Sequence, residues 1–162
     1  LELDFDSVTV FICHFKAPYP QPARAFAVRA AEARAARRII EARFAKPERE
    51  RWILLGDFNE PFSAKERVES ALDVLGDGFA VDLRTRQKPG RGWTYEIPHN
   101  HLHTRPDRIF VSPALARAYP EASPEVIRFG MDAAHTAHGG VGSEPRARAS
   151  DHALVFADFP GL

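Results

Sequence analysis

Short apolar runs alternate with polar helical stretches in the first half of this chain, and in the second half apolar runs follow one another. Residues 7–15 (SVTVFICHF) are rich in β-branched and aromatic side chains and predict a buried strand. Pro18, Pro20 and Pro22 break that pattern. Residues 23–46, dense in Ala, Arg and Glu, predict a long helix that Pro47 ends. On a helical wheel Phe26, Val28, Ala33, Ala36, Ile39, Ile40 and Phe44 gather on one side. Arg24, Arg34, Arg37 and Arg38 lie on the other. Arg29 and Arg43 fall within the apolar side, where each must snorkel or find a partner.

Arg51–Leu55 predicts a short strand that runs into Gly56-Asp57, and Ser63–Leu75 a second helix stopped by Gly76-Asp77-Gly78. Residues 79–83, 93–95, 108–111, 125–129 and 153–159 read as strands, with a helical turn at 113–119. Loops cover 88–92 and 131–149. Helix and strand alternate early and strands follow strands later, which is the pattern of an α/β (α+β) layered sandwich with a partly antiparallel sheet.

The length of 162 residues suits one domain with a real core, and 44% hydrophobic with 27% charged residues argues against disorder. Lys plus Arg equals Asp plus Glu at 22 each, so no global field draws the chain to nucleic acid or anionic lipid. A local patch remains open: Arg34, Arg37 and Arg38 can track a phosphate backbone, although Glu32 and Glu41 interrupt them and favour a solvated face. Trp93 and Tyr95 can stack on a base or fill a core. The single cysteine, Cys13, excludes an internal disulfide and fits a reducing compartment, so the cytoplasm is favoured. No apolar run is long enough for a transmembrane segment, and nothing points to an obligate protein partner. The chain opens at Leu1-Glu2-Leu3-Asp4, inside a strand pattern, with no Met and no leader, and so suggests a piece of a longer protein.

Three motifs carry chemistry. In Gly56-Asp57-Phe58-Asn59, residues two apart on an extended segment share a side, so Asp57 and Asn59 can face one site while Phe58 turns into the core. A carboxylate there can orient or deprotonate water; the same residues also suit an Asx turn. Ser150-Asp151-His152 places a carboxylate suited to a hard cation beside an imidazole that can bind phosphate when protonated. Asp107, where a loop enters a strand, can hold that imidazole cationic and oriented, or pair with an arginine at the surface.

In this order the motifs resemble the endonuclease/exonuclease/phosphatase superfamily, the DNase I-like fold. Its carboxy-terminal half runs from a strand ending in His (here Thr9–Phe15), through a helix, to a strand ending in G-D-F/L-N (Trp52–Asn59). An R-x-D segment (Arg105–Val111, with Pro106 where an aliphatic residue is usual) and S-D-H (Ser150–His152) follow. The resemblance implies a four-layer α/β/β/α sandwich with a mixed, mostly antiparallel sheet and flanking helices. It implies that residues 1–162 are the carboxy-terminal portion of one such domain, with the amino-terminal half absent and an apolar sheet face left uncovered. It further implies a Mg²⁺- or Mn²⁺-dependent phosphodiesterase, phosphatase or nuclease. Asp57 would handle the attacking water and Asn59 the phosphate or metal. Asp151 would help hold the metal with Asp57 and Asn59, His152 supported by Asp107 would stabilise charge, and His14 would contact the scissile phosphate. The family's principal metal-binding Glu has no counterpart in residues 1–13, and Glu2 lies too early in the strand to replace it. Substrates in the family include nucleic acids, inositol phosphates and phospholipid head groups, which the sequence does not distinguish.

Two rival readings stand beside this one. His99-x-His101-x-His103, with His135 and His138, has the alternation of a zinc or copper site, or is a polar loop bounded by Pro98 and Pro106. An inactive fragment that serves as an interaction module would keep the fold without the chemistry.

Overall fold

The computed structural model of the chain describes residues 1–60, 70–88, 90–97, 102–129, 131 and 150–162. In chain order the elements are β1 (Glu2–Phe5), β2 (Val8–His14), α1 (Pro22–Arg43), β3 (Trp52–Asp57), β4 (Val81–Asp82), β5 (Tyr95–Ile97), β6 (Leu102–Thr104), β7 (Asp107–Val111), α2 (Pro113–Ala118), β8 (Glu125–Ile127) and β9 (Leu154–Phe156). The main sheet has the order β1-β2-β3-β7-β4. β2 and β3 run parallel, joined through α1, and the other pairings are antiparallel. Two further antiparallel pairs, β5-β6 and β8-β9, form separate two-stranded sheets. The fold class is the expected α/β one, with a mixed, mostly antiparallel sheet and flanking helices. No helix among the described residues is long and apolar enough to cross a membrane.

Period-two alternation builds two cores, one on each side of β3. Trp52, Leu54 and Phe58 point to the α1 side, where they meet Phe11, Phe110, Ala33 and Ile40. Ile53 and Leu55 point the other way, to Ile109, Val111 and Leu115. Burying each of these large side chains contributes roughly 1.5–3 kcal/mol. On the second side the cover thins toward the edge: Leu3, Phe5 and Ile12 are exposed there. They share that face with Val8 and Val10 through the β1-β2 register.

Helix α1 begins at Pro22, whose missing N–H costs nothing in the first turn. Its buried stripe is Ala25, Arg29, Ala33 and Ile40, with Ala36 and Phe44 packed beside it. This stripe is narrower than the helical wheel suggests. Ile39, expected on the apolar side, is 54% exposed, because it lies about 100° around the helix from Ile40. Arg37, expected on a solvated face, pairs with Glu41 at 2.7 Å, donates to the Val74 carbonyl and lies over the Phe79 ring. Arg43 bridges Glu2 and Asp4 of β1, each at 3.1 Å.

The later elements are shorter than expected. The strand at 79–83 contracts to Val81–Asp82 because the Asp82 carboxylate accepts the Arg84 N–H and starts a 3₁₀ turn at Leu83–Arg86. The strand expected at 93–95 begins at Tyr95 and runs to Ile97. Most of the second helix and of the loop expected at 131–149 lie outside the described residues; the helix's expected end is a 3₁₀ turn, Asp73–Leu75.

Gly56 pins β3 to β2. Its φ is +141°, and a Cβ added there would lie 1.9 Å from the Cys13 carbonyl oxygen, a backbone atom that cannot step aside. Gly56→Ala is therefore expected to destabilise the fold by about 3 kcal/mol or more, from backbone strain plus strand separation. Urea unfolding of the two proteins measures the difference, and a cost below about 1 kcal/mol would contradict the close approach.

Candidate active site

Three adjacent strands bring three polar residues into one row. His14 ends β2, Asp57 ends β3 and Asp107 begins β7, and the registers pair His14 with Asp57 and Asp57 with Asp107. Residues paired across strands share a face, so this row continues the apolar rows Val10-Ile53-Val111 and Ile12-Leu55-Ile109. Where the sheet ends, its apolar surface gives way to an imidazole and two carboxylates.

The loop after β3 is held tightly. The Asn59 N–H donates to Asp57 Oδ1 at 2.8 Å, an Asx turn, and Asn59 adopts the left-handed conformation that Asn tolerates, with φ 49°. The Asn59 amide also donates to the Phe15 carbonyl at 3.0 Å and to Asp57 Oδ2 at 3.1 Å. Phe58 is fully buried, edge-on to Phe15 and Phe110. The turn reading and the site reading of this motif thus describe the same geometry: the turn fixes the Asp57 carboxylate at the sheet's end.

His152 reaches the row from the other end of the chain. Its Nδ1 lies 2.8 Å from Asp107 Oδ2, and its Nε2 is 4.0 Å from Asp57 Oδ2. The Ser150 hydroxyl accepts the His152 N–H, and the Tyr95 ring packs against the imidazole at 4.9 Å. His14 Nε2 stands 3.5 Å from Asp57 Oδ2 with its side chain 76% exposed. Asp151 is exposed at the rim. These residues and Asn59 line one cleft of about 880 Å³, whose other walls include Pro18, Tyr19, Ile97 and Pro106.

Electrostatics act on Asp57 and on His152. Burial raises the Asp57 pKa above the ordinary carboxylate range, and the neighbouring Asp107 charge adds to the rise; the Asn59 N–H and the two imidazoles oppose it. The hydrogen bond that the Asp107 carboxylate accepts from the imidazole raises the His152 pKa, overcoming the opposing effect of burial. The ligand atoms of Asp57, Asp107 and His152 lie within 4.8 Å of one another, close enough to share a cation. With Asp151 and the Asn59 carboxamide at the same cleft, oxygen donors dominate, and such a set fits a hard divalent ion.

Of the histidine-alternation reading, only His103 falls among the described residues. His99, His101, His135 and His138 lie outside the described residues. His103 stacks on Trp93 at 4.0 Å and places Nε2 3.4 Å from Glu96. Trp93 is half-buried between His103 and the Arg128 guanidinium, so neither it nor Tyr95 is core. Sequence reasoning missed Glu60, which is buried, lines the cleft and pairs with Arg29 at 3.1 Å. The signal for it was Arg29 itself, a cation on the apolar side of α1 that needed a carboxylate.

The Asp107–His152 bond has a pH signature. A raised folded-state pKa means stability that is full below the ordinary histidine value of 6.5 and lost as pH rises through the folded value. NMR titration is expected to find His152 above 6.5 in the wild type and lower in Asp107→Asn. The stability gap between the two proteins should close as pH rises. An unchanged His152 titration in Asp107→Asn would refute the pairing.

Comparison with known proteins gives the chain its relatives. No curated protein sequence matches it significantly. Among solved structures, an AP endonuclease from Archaeoglobus fulgidus is 15% identical with a TM-score of 0.64, over 98% of this chain and 64% of that one. The 3'-5' exonuclease NExo from Neisseria meningitidis is 22% identical with a TM-score of 0.61, over 95% and 62%. Truncated TDP2 from Caenorhabditis elegans is 14% identical with a TM-score of 0.57, over 91% and 52%. The chain thus spans only about half to two thirds of the length of these structures, and they share its fold. The model of the Endonuclease/Exonuclease/phosphatase family matches residues 2–152, and the chain belongs to that family.

Proposed function

We propose that this chain carries the water-activating and charge-stabilising part of a divalent-metal-dependent phosphoesterase. The observation that supports it most is the meeting of Asp57, Asp107 and His152 at one cleft in a member of this family. Asp57 orients or deprotonates the attacking water; its raised pKa brings it nearer the range where a carboxylate accepts a proton usefully. Water attacks phosphorus in line with the departing oxygen. His152, kept cationic by Asp107, faces the charge that develops on the phosphoryl oxygens. Asn59 steadies the phosphate or the metal, and the exposed His14 imidazole meets the ester oxygens from the rim.

Asp57, Asn59 and Asp151 are the residues that would hold Mg²⁺ or Mn²⁺. When bound, such an ion polarises the phosphoryl oxygen and lowers the pKa of coordinated water. The substrate is a phosphate ester. A purely structural module of the same fold would not need an acid–imidazole pair in a cleft, and that reading is not favoured.

The full-length protein is expected to hydrolyse bis-p-nitrophenyl phosphate only with Mg²⁺ or Mn²⁺, and EDTA should abolish the reaction. Asp57→Ala and His152→Ala should each lower kcat by about 10²–10⁴ while circular dichroism stays native. Rates unaffected by either substitution would sink the proposal.

A further inference from the structure

Glu60 lines the cleft one residue beyond Asn59, yet neither of its carboxylate oxygens is turned over to the cleft's chemistry. Oε2 accepts from Arg29 Nε at 3.1 Å. Oε1 accepts from the Ser70 hydroxyl and the Ala71 N–H, each at 3.1 Å. Arg29 is 3% exposed and Glu60 6%, so the pair sits almost wholly out of water. The other end of the guanidinium donates to the Lys16 carbonyl at 3.2 Å, two residues past His14. The same helix holds the other side of that residue, because the Lys16 N–H donates to Glu32 at 2.8 Å.

The bonds form a closed ring. Asn59 donates to Phe15, Phe15 N–H donates to the Asp57 carbonyl, and Arg29 joins Lys16 to Glu60. The loop after β2, which follows His14, and the loop after β3, which follows Asp57, are therefore fixed to each other and to α1. A buried ion pair is commonly no more stabilising than two apolar side chains of the same volume. What a guanidinium adds is direction, since its planar fork sets two bonds at a fixed angle.

We infer that Arg29 and Glu60 are a positioning pair for the proposed phosphoesterase site. They set the loop that carries Asn59, and Glu60 is not a metal ligand although it borders the cleft. The inference rests on the phosphoesterase reading for its catalytic consequence and on geometry alone for its structural one.

The test compares the full-length wild type with Glu60→Gln and with Arg29→Met/Glu60→Met, all checked for folding by circular dichroism. Glutamine keeps the shape but must turn an N–H₂ toward donors that a carboxylate accepts; the double substitution removes both charges together and should retain the fold. The first readout needs no activity: solvent exchange of the Asn59 side-chain amide by NMR. It is expected to quicken about tenfold or more in both variants as the ring opens. The second is kinetic: kcat should fall by about ten- to a hundredfold with KM nearly unchanged. The third is Mg²⁺ affinity by calorimetry, expected to stay within about threefold of the wild type, since no coordinating oxygen is lost. A folded variant with wild-type Asn59 exchange overturns the proposal, and so does a large loss of Mg²⁺ affinity in Glu60→Gln. If the double variant does not fold, Glu60→Gln decides. A wild type with a protected Asn59 amide and no hydrolysis defeats the phosphoesterase reading, leaving the positioning pair to be judged on exchange.

Discussion

The register of β3 against its two neighbours is the constraint on which the site depends. β2 lies parallel to it and β7 antiparallel, and only in the observed pairing do His14, Asp57 and Asp107 stand abreast. Side chains in a strand alternate faces, so a slip of one residue would send Asp57 to the α1 side and Phe58 into the cleft. The two cores prevent that slip. Trp52, Leu54 and Phe58 are committed to one side and Ile53 and Leu55 to the other, and exchanging them would expose both sets. The chemistry is thus registered by the packing beneath it, not by contacts among the polar residues themselves.

The polar residues then adjust one another. Two carboxylates side by side would repel if both were fully charged in a half-buried place. Here the load is divided: the Asp107 carboxylate is paired with the His152 imidazole, while burial raises the pKa of Asp57. One arrangement of groups therefore raises the proton affinity of the Asp57 carboxylate and of the His152 imidazole together. An α/β sheet commonly places such a site outside strand ends, where loops can vary without disturbing the pairing. This sheet does so with ends from strands of both directions.

Much of this could be read from the chain because it is local. The alternation in Ile53-Leu54-Leu55 and the outward Asp57 with inward Phe58 follow from period two alone. So does the need of Arg29 for a partner, from its place on the helical wheel. The identity of that partner could not be read, since Glu60 is 31 positions away and sits in no periodic element. The packing of Tyr95 on His152 was hidden for the same reason: it joins two short bridge residues far apart in sequence. Ile39 was misassigned because a wheel shows hydrophobic breadth, whereas the sheet accepts only a narrow stripe. The strand at 79–83 ended early because the Asp82 carboxylate competed successfully for the backbone N–H two residues on.

Cys13 sits on the α1 side of β2, beside the row that carries the site, and burial pushes its thiol pKa up to about 12. At neutral pH the reactive thiolate is then on the order of one molecule in 10⁵. The chain has no other cysteine. Cys13 is therefore nearly silent toward thiol reagents, and among these 162 residues a cysteine introduced at the cleft mouth, as in Tyr19→Cys at a position 66% exposed, would be the reactive one. A photocrosslinker attached there would report what enters the cleft without first replacing Cys13.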